Sequence, residues 1–281
     1  MNDLSLTSIA ASYLTTTIKE GVLTVTMNRP DKLNGWTMGM MEAIREAFEK
    51  ANHNDSVKVL LFTGSGKYYC AGVNLSGTIK LMPPRKLRQL IVNNNRTLFE
   101  IFLNFTKPLL IAVNGPAIGA SVTSSTLANF IIASENATFS TPFSALSVTP
   151  EGCSSYHFPR LIGENNTYRM MGPEGWKPNA KEALDIGLVQ QVVPAAHLLS
   201  EAERIAHEWV AKGETRQFLA DSQLADLKAT NAKESEDLAD AFLSAGFLKG
   251  QCQFLWRKKK YVPSTLFFSL WALRPLWSWA I

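Results

Sequence analysis

Leu109–Val113, reading LLIAV, is a short consecutive apolar run of the kind a buried strand shows, and the segment NGPAIGAS after it leads into a helix. A second β-rich run, Val57–Thr63, is followed by the glycine-bearing loop GSGKYYCAG. Thr16–Lys19 and Val22–Met27 flank Glu20-Gly21, a two-residue connection that reads as a hairpin. Met38–His53 carries Met41, Ile44, Phe48 and Ala51 at helical spacing, and Lys86–Phe105 carries Leu87, Leu90, Ile91, Leu98 and Ile101 on one face. Asn129–Ser134 and Ala137–Ser140 return to strand character. Strands alternating with helices predict a layered α/β architecture. Beyond Asn179 the strand signals nearly vanish, and Ala180–Gly187, Leu198–Lys212, Gln217–Thr230 and Glu234–Ala245 read as helices. No internal repeat recurs at a fixed period.

Several function classes fall away on composition. A chain of 281 residues with 19% charged residues is long enough to bury a core and is not of disordered type. The net charge of +4 is modest and densest at Arg257-Lys258-Lys259-Lys260, with no basic stripe interleaved with aromatics elsewhere, so no nucleic-acid partner is expected. Cys70, Cys153 and Cys252 are far apart and form no C-x-x-C pair, which argues for a reducing compartment and against a zinc site. The N-terminus lacks the basic flank and apolar run of a secretory signal.

The motifs narrow the choice further. Gly64–Lys67 imitates part of a phosphate loop, but Leu61 and Tyr68 stand where that loop needs glycine and Ser/Thr. No G-x-G-x-x-G follows a strand, and Ser154 and Ser155 lack the G-x-S-x-G elbow of a serine hydrolase. His53, His157, His197 and His207 have no partners at recognisable spacing and read as structural. Two small-residue turns remain, Cys70-Ala71-Gly72-Val73 and Gly115 to Ala120. Each follows a strand, and glycine there lets backbone approach a ligand while free amides at a helix start meet negative charge. Both also fit ordinary tight turns. One acid stands apart: Glu151, between Pro150 and Gly152, in otherwise uncharged, small-residue surroundings.

NRPDKLNG (28–35), YYCAGVNL (68–75), KPLLIAVNGPAIGAS (107–121) and ALDIGLVQQVVP (183–194) resemble, in order and spacing, the motifs of the crotonase, or enoyl-CoA hydratase/isomerase, superfamily. The resemblance runs from about Tyr13 to Lys260. It implies that the backbone N–H groups of Val73 and Ala120 form an oxyanion hole for an acyl-CoA thioester. It also implies that Ala71, Gly72, Val73, Asn74 and Leu75 cradle coenzyme A, with Gly119, Ala120 and Phe143 completing the substrate site. Asn74 departs from the aspartate usual in this motif. Independently, proton removal beside a thioester sends charge to its oxygen, and one fixed donor there is typically worth about 3–4 kcal/mol.

Hydratases of this superfamily use two glutamates, and the matching positions hold Thr123 and Phe143. Losing a general acid or base typically costs about 10²–10⁴-fold, so efficient hydration by that mechanism is not expected. Glu151 falls where the peroxisomal-type Δ3,Δ2-enoyl-CoA isomerases place their one catalytic acid, and TPFSALSVTPEGCSSYHFP resembles that subgroup. The expectation is a 3-enoyl-CoA to 2-enoyl-CoA isomerase. Glu151 is its proton shuttle, desolvated by Phe143, Leu146, Val148 and Phe158, and no metal or redox cofactor is needed.

The expected fold is a crotonase-type ββα spiral core over 1–195 and a helical oligomerisation region over 196–260, with an aromatic-rich tail at 261–281. Homotrimers or homohexamers and a peroxisomal location are implied by the resemblance alone, since no targeting signal is recognisable. Pro263, Arg274 and Pro275 interrupt the tail well short of the roughly 20 apolar residues a span needs, leaving peripheral membrane contact, protein docking or an inert extension open. Two alternatives also stay open: a crotonase of specialised metabolism acting on another acyl-CoA, and a catalytically silent binding or assembly subunit.

Overall fold

The computed structural model describes residues 4–74 and 82–280; Leu75, expected at the coenzyme A cradle, lies outside the described residues. Its strands are β1 (Leu14–Lys19), β2 (Val22–Met27), β3 (Val59–Gly64), β4 (Leu109–Val113), β5 (Ala117–Ile118), β6 (Phe130–Ser134), β7 (Phe139–Ser140) and β8 (Gln191–Val193). Six of them form one sheet in the order β1-β2-β3-β4-β6-β8, antiparallel at β1–β2 and parallel elsewhere, while β5 pairs with β7 apart from it. The hairpin at Glu20-Gly21 forms as the sequence predicts, with both residues at positive φ (48° and 85°), as a two-residue turn matching strand twist requires.

The helices follow the same chain order: α1 (Ser8–Ala11), α2 (Met38–Asn52), α3 (Pro84–Leu103), α4 (Ala120–Ser125), α5 (Phe143–Leu146), α6 (Ser154–Ile162), α7 (Glu164–Met171), α8 (Ala180–Asp185), α9 (Leu198–Lys212), α10 (Leu224–Phe242), α11 (Ala245–Arg257) and α12 (Tyr261–Ala272). Strands β3 and β4 are buried throughout because alternate side chains serve two layers. Leu60, Phe62, Leu109 and Ile111 join the main core with α2 and α3, whereas Val59, Leu61, Leu110 and Ala112 pack against Ala202, Ile205 and Ala206 of α9. This is the layered α/β arrangement that the alternating pattern predicts.

The C-terminal region differs from expectation in two places. Gln217–Thr230 and Glu234–Ala245 are not two helices; α10 runs unbroken over Leu224–Phe242. Asn231, at the expected break, stays helical and donates through Nδ2 to the Arg96 carbonyl of α3 at 3.0 Å. The stretch before Leu224 is held off the helix by Arg216, which donates to the Phe102, Phe105 and Leu127 carbonyls, and by left-handed Ala220 and Asp221.

Tyr261–Ala272 is helical and turns back on α11, burying Phe267 and Leu270 with Leu238, Phe242 and Phe247. The described part of the tail thus adds apolar surface to the helical layer that α3 and α10 share. Among the described residues no helix is long and apolar enough to cross a membrane.

Candidate active site

Strand β3 ends at Gly64, and the chain returns at Cys70 to bridge Ala117. Trp36 then pairs with Val73 as a parallel bridge: Trp36 N donates to the Gly72 carbonyl and Asn74 N to the Trp36 carbonyl, each at 2.9 Å. In such a pairing the amide of the middle residue faces away from its partner strand. The Val73 N–H therefore points outward with no acceptor among the described residues. Asn74 keeps this geometry through its backbone, so its departure from aspartate leaves the Val73 amide in place.

The second turn builds the matching donor. Gly119 precedes α4 with φ 60° and ψ −127°, and its amide donates to the Ser140 carbonyl at 2.7 Å. A Cβ at Gly119 would meet nothing within 4 Å, so backbone conformation rather than space calls for glycine. Ala120 is the first residue of α4, where amides lack intrahelical acceptors, and its N–H is free among the described residues.

Val73 and Ala120 line one pocket of ≈ 880 Å³, its mouth included. Ala71, Gly72, Val73, Gly119, Ala120, Phe143 and Glu151 all line it, so the structure brings together seven of the residues singled out in the sequence. Asn74 is not part of the lining. Of the four apolar side chains expected around Glu151, Phe143, Leu146 and Val148 line the pocket, but Phe158 does not: it is fully buried in the main core. Thr123 is also fully buried and lies behind the Glu151 turn, where a Cβ on Gly152 would approach its Oγ1 to 2.5 Å.

Glu151 reaches the pocket from a tight turn between α5 and α6. Gly152 and Cys153 both have positive φ (70° and 65°), which reverses the chain within two residues. The Glu151 carbonyl accepts from Ser154 Oγ at 2.8 Å, and its Oε2 accepts from Asn95 Nδ2 at 2.8 Å. Burial pushes the Glu151 carboxyl up to about 7; the Asn95 bond opposes that rise and the nearby Glu234 carboxylate adds to it. Among the described lining residues Glu151 is the sole carboxylic acid. A carboxyl titrating near neutrality can both take and return a proton there.

Asn95 is a site residue that sequence reasoning missed. Its signal was present: an asparagine at helical spacing from Ile91 and Leu98, on the apolar face of α3. Its Oδ1 accepts from Ser235 Oγ of α10 at 3.0 Å, which fixes the amide with Nδ2 toward Glu151. His157, read as structural, is buried between Ser222 Oγ (2.8 Å) and the Thr126 carbonyl (2.9 Å) and is held neutral, its pKa pushed down to about 4 by burial.

Comparison with known proteins agrees with this geometry. The family profile described as enoyl-CoA hydratase/isomerase matches residues 17–259. Human "Enoyl-CoA delta isomerase 2" is 35% identical over 264 residues, covering 88% of this chain and 64% of that protein. The chain thus spans less than two thirds of that relative's length. Mouse "Enoyl-CoA delta isomerase 3, peroxisomal" is 33% identical over 87% of this chain and 78% of its own. Among solved structures, an enoyl-CoA hydratase/isomerase from Pseudoalteromonas atlantica T6c superposes with a TM-score of 0.74 at 25% identity, covering 87% of this chain and 97% of that one. A family profile that matches residues 17–259, with a fold that superposes on a solved member, makes this protein a member of the enoyl-CoA hydratase/isomerase, or crotonase, family.

Proposed function

We propose that the protein is a Δ3,Δ2-enoyl-CoA isomerase. Glu151, as carboxylate, takes a proton from C2 of a 3-enoyl-CoA. The C2 electrons move toward the thioester, and the charge that develops on its oxygen is met by the Val73 and Ala120 amides. Glu151, now protonated, returns the proton at C4, leaving the double bond between C2 and C3. No atom is gained or lost, and coenzyme A enters only as part of the substrate. The reaction as written uses no metal or redox cofactor.

The observation that carries this reading is the lone acid: among the described lining residues Glu151 is the one carboxyl group, while Thr123 and Phe143 stand where hydratases carry glutamates. One carboxyl can serve both proton transfers of an isomerisation, whereas adding water needs one group to activate water and another to protonate carbon. The test is incubation with 3-enoyl-CoA and with 2-enoyl-CoA, following isomer and hydrated product separately. Isomer without hydrated product is expected; hydration at a comparable rate would refute the proposal.

Three further properties belong to the same reading. The segment from Ala71 through Asn74 toward Leu75 cradles coenzyme A, beside the Val73 donor. The protein assembles as a homotrimer or homohexamer, and a stable monomer in sedimentation would refute that; it works in peroxisomes, the compartment that the name of the mouse relative gives for that protein. The C-terminal helices also touch anionic membrane surfaces. Residues 241–281 contain six bases and no acid, and Trp256, Tyr261 and Val262 are exposed around Arg257–Lys260. Exposed aromatics beside a basic run fit a headgroup layer. Pelleting of the full-length chain that anionic vesicles do not increase would refute that contact.

A further inference from the structure

Glu234 of α10 is only 3% exposed and does not line the pocket, yet it governs the turn that carries Glu151. Its Oε2 accepts from Cys153 N at 2.6 Å and its Oε1 from Ser155 N at 2.8 Å. Those amides belong to the N-cap and second residue of α6, which would otherwise lack acceptors. Cys153 gives α6 no cap through its own side chain; its Sγ donates instead to the Leu227 carbonyl of α10 at 3.1 Å. Cys153 also sits at φ 65°, a left-handed conformation unusual for a residue with a Cβ. That conformation persists because α10 grips both its amide and its thiol.

We propose that Glu234 is a positioning residue for Glu151: by taking the two amides at the head of α6 it fixes the Glu151 turn and withholds those donors from the Glu151 carboxylate. The proposal rests on the reading of Glu151 as the base. A carboxylate that collects backbone amides at a helix start becomes a weak base, because they favour its charged form. With Glu234 occupying them, the donor recorded for the Glu151 carboxylate is Asn95.

Burial pushes the Glu234 carboxyl up while the Ser155 and Cys153 amides oppose that rise, and its charged form raises the proton affinity of Glu151, beside the larger effect of burial. Several other ionisable groups on the packed elements are engaged elsewhere. On α10, Asp237 pairs with Lys233, and Glu236 and Asp240 pair with Arg88 of α3. On α6, Tyr156 donates to Asp226, Arg160 stacks over the Tyr156 ring, and His157 is neutral. The Cys153 thiol is pushed up by burial and stays protonated.

The variant Glu234→Gln keeps the size and one acceptor oxygen but removes the charge. Two quantities decide: the pH dependence of kcat/KM for a 3-enoyl-CoA, and the titration of the Glu151 carboxyl followed by carbon-13 NMR. The acid limb and the Glu151 titration are both expected to move to lower pH by at least about half a pH unit. For a shift of that size turnover above the limb should fall by up to about 3-fold, because the base has become weaker. A slower enzyme whose limb and titration stay where the wild type has them would show a purely structural role and overturn the proposal. If the titration moves while the pH profile shows no matching limb, the positioning role stands and the assignment of Glu151 as base fails. Should Glu234→Gln not fold, wild-type protein carries the test: Glu151 titrating in the ordinary carboxyl range, near pH ~4, overturns the proposal.

Discussion

The Val73 and Ala120 amides are presented by backbone that neighbouring strands and a helix start hold in place, whereas the Glu151 carboxylate is held by side chains of α3 and α10. On the first face the contacts are main-chain: Trp36 to Gly72, Asn74 to Trp36, and Gly119 to Ser140. On the second they are Asn95 to Glu151, Ser235 to Asn95 and Glu234 to the head of α6. The backbone face should therefore tolerate changes of side chain and fail when φ and ψ are disturbed. The side-chain face should respond to single atoms.

The sharpest trial of the second half is Glu151→Gln, which keeps the shape and removes the base. Turnover of a 3-enoyl-CoA is expected to fall by at least about 10²-fold, with the fold and acyl-CoA binding retained. Near-wild-type turnover would mean that Glu151 is not the base. A wild type that turns over no 3-enoyl-CoA would instead favour the silent binding subunit, so it is assayed alongside.

The backbone face has its own weak point at Gly119. Alanine there meets no neighbour, so any loss must come from forcing a side-chain residue into φ 60° and ψ −127°. That conformation costs of order 1–3 kcal/mol, and relaxing it would swing the Ala120 amide from the pocket. Gly119→Ala is expected to lower kcat by about 10–100-fold while leaving KM within about 3-fold, as for a donor used mainly in the transition state. A rise in KM alone would place the turn in substrate binding rather than in charge stabilisation.

Asn95→Ala probes the side-chain face more gently. The Asn95 bond favours the ionised form of Glu151, so removing it raises the carboxyl above its present position near 7. The acid limb should move to higher pH. A loss of about 10-fold is expected at neutral pH, shrinking toward about pH 8.5 as the base is freed. A loss that is the same at every pH would assign Asn95 to orientation alone.

The same contrast explains what could be read from the sequence. The turns at Ala71–Val73 and Gly119–Ala120 were legible because a backbone site needs small residues at fixed offsets from a strand, and such a requirement is local. Glu151 was legible through its isolation and the family register. Asn95, Ser235 and Glu234 were not, since their partners lie 56, 140 and 79 to 81 residues away in the chain. For Glu234 the difficulty was compounded by a helix break expected around Asn231. A continuous α10 places Asn231, Glu234, Ser235 and Leu238 on one buried face, and that face holds the turn after Glu151. Six of the eight described strands were legible, β3 and β4 most plainly because they are covered on both sides and carry uninterrupted apolar runs; β5 and β8, only two and three residues long, were not.

The smallest effect should come from Val73→Ala, and its smallness is the test. Val73 contributes its amide to the pocket, and alanine has the same amide at the same place in the Trp36 bridge. Its side chain is half-buried against the main core, so truncation removes some packing but leaves no unpaired polar group. A partly exposed apolar truncation of this kind costs stability by roughly 1 kcal/mol or less. Turnover should therefore stay within about 3-fold of wild type, with the melting temperature a few degrees lower. The Glu151 titration, on the opposite face, should not move at all. A 10²-fold loss from Val73→Ala, with the fold intact by circular dichroism, would mean that the valine side chain itself orients the thioester. The division into a backbone face and a side-chain face would then be wrong where the sequence made it look safest.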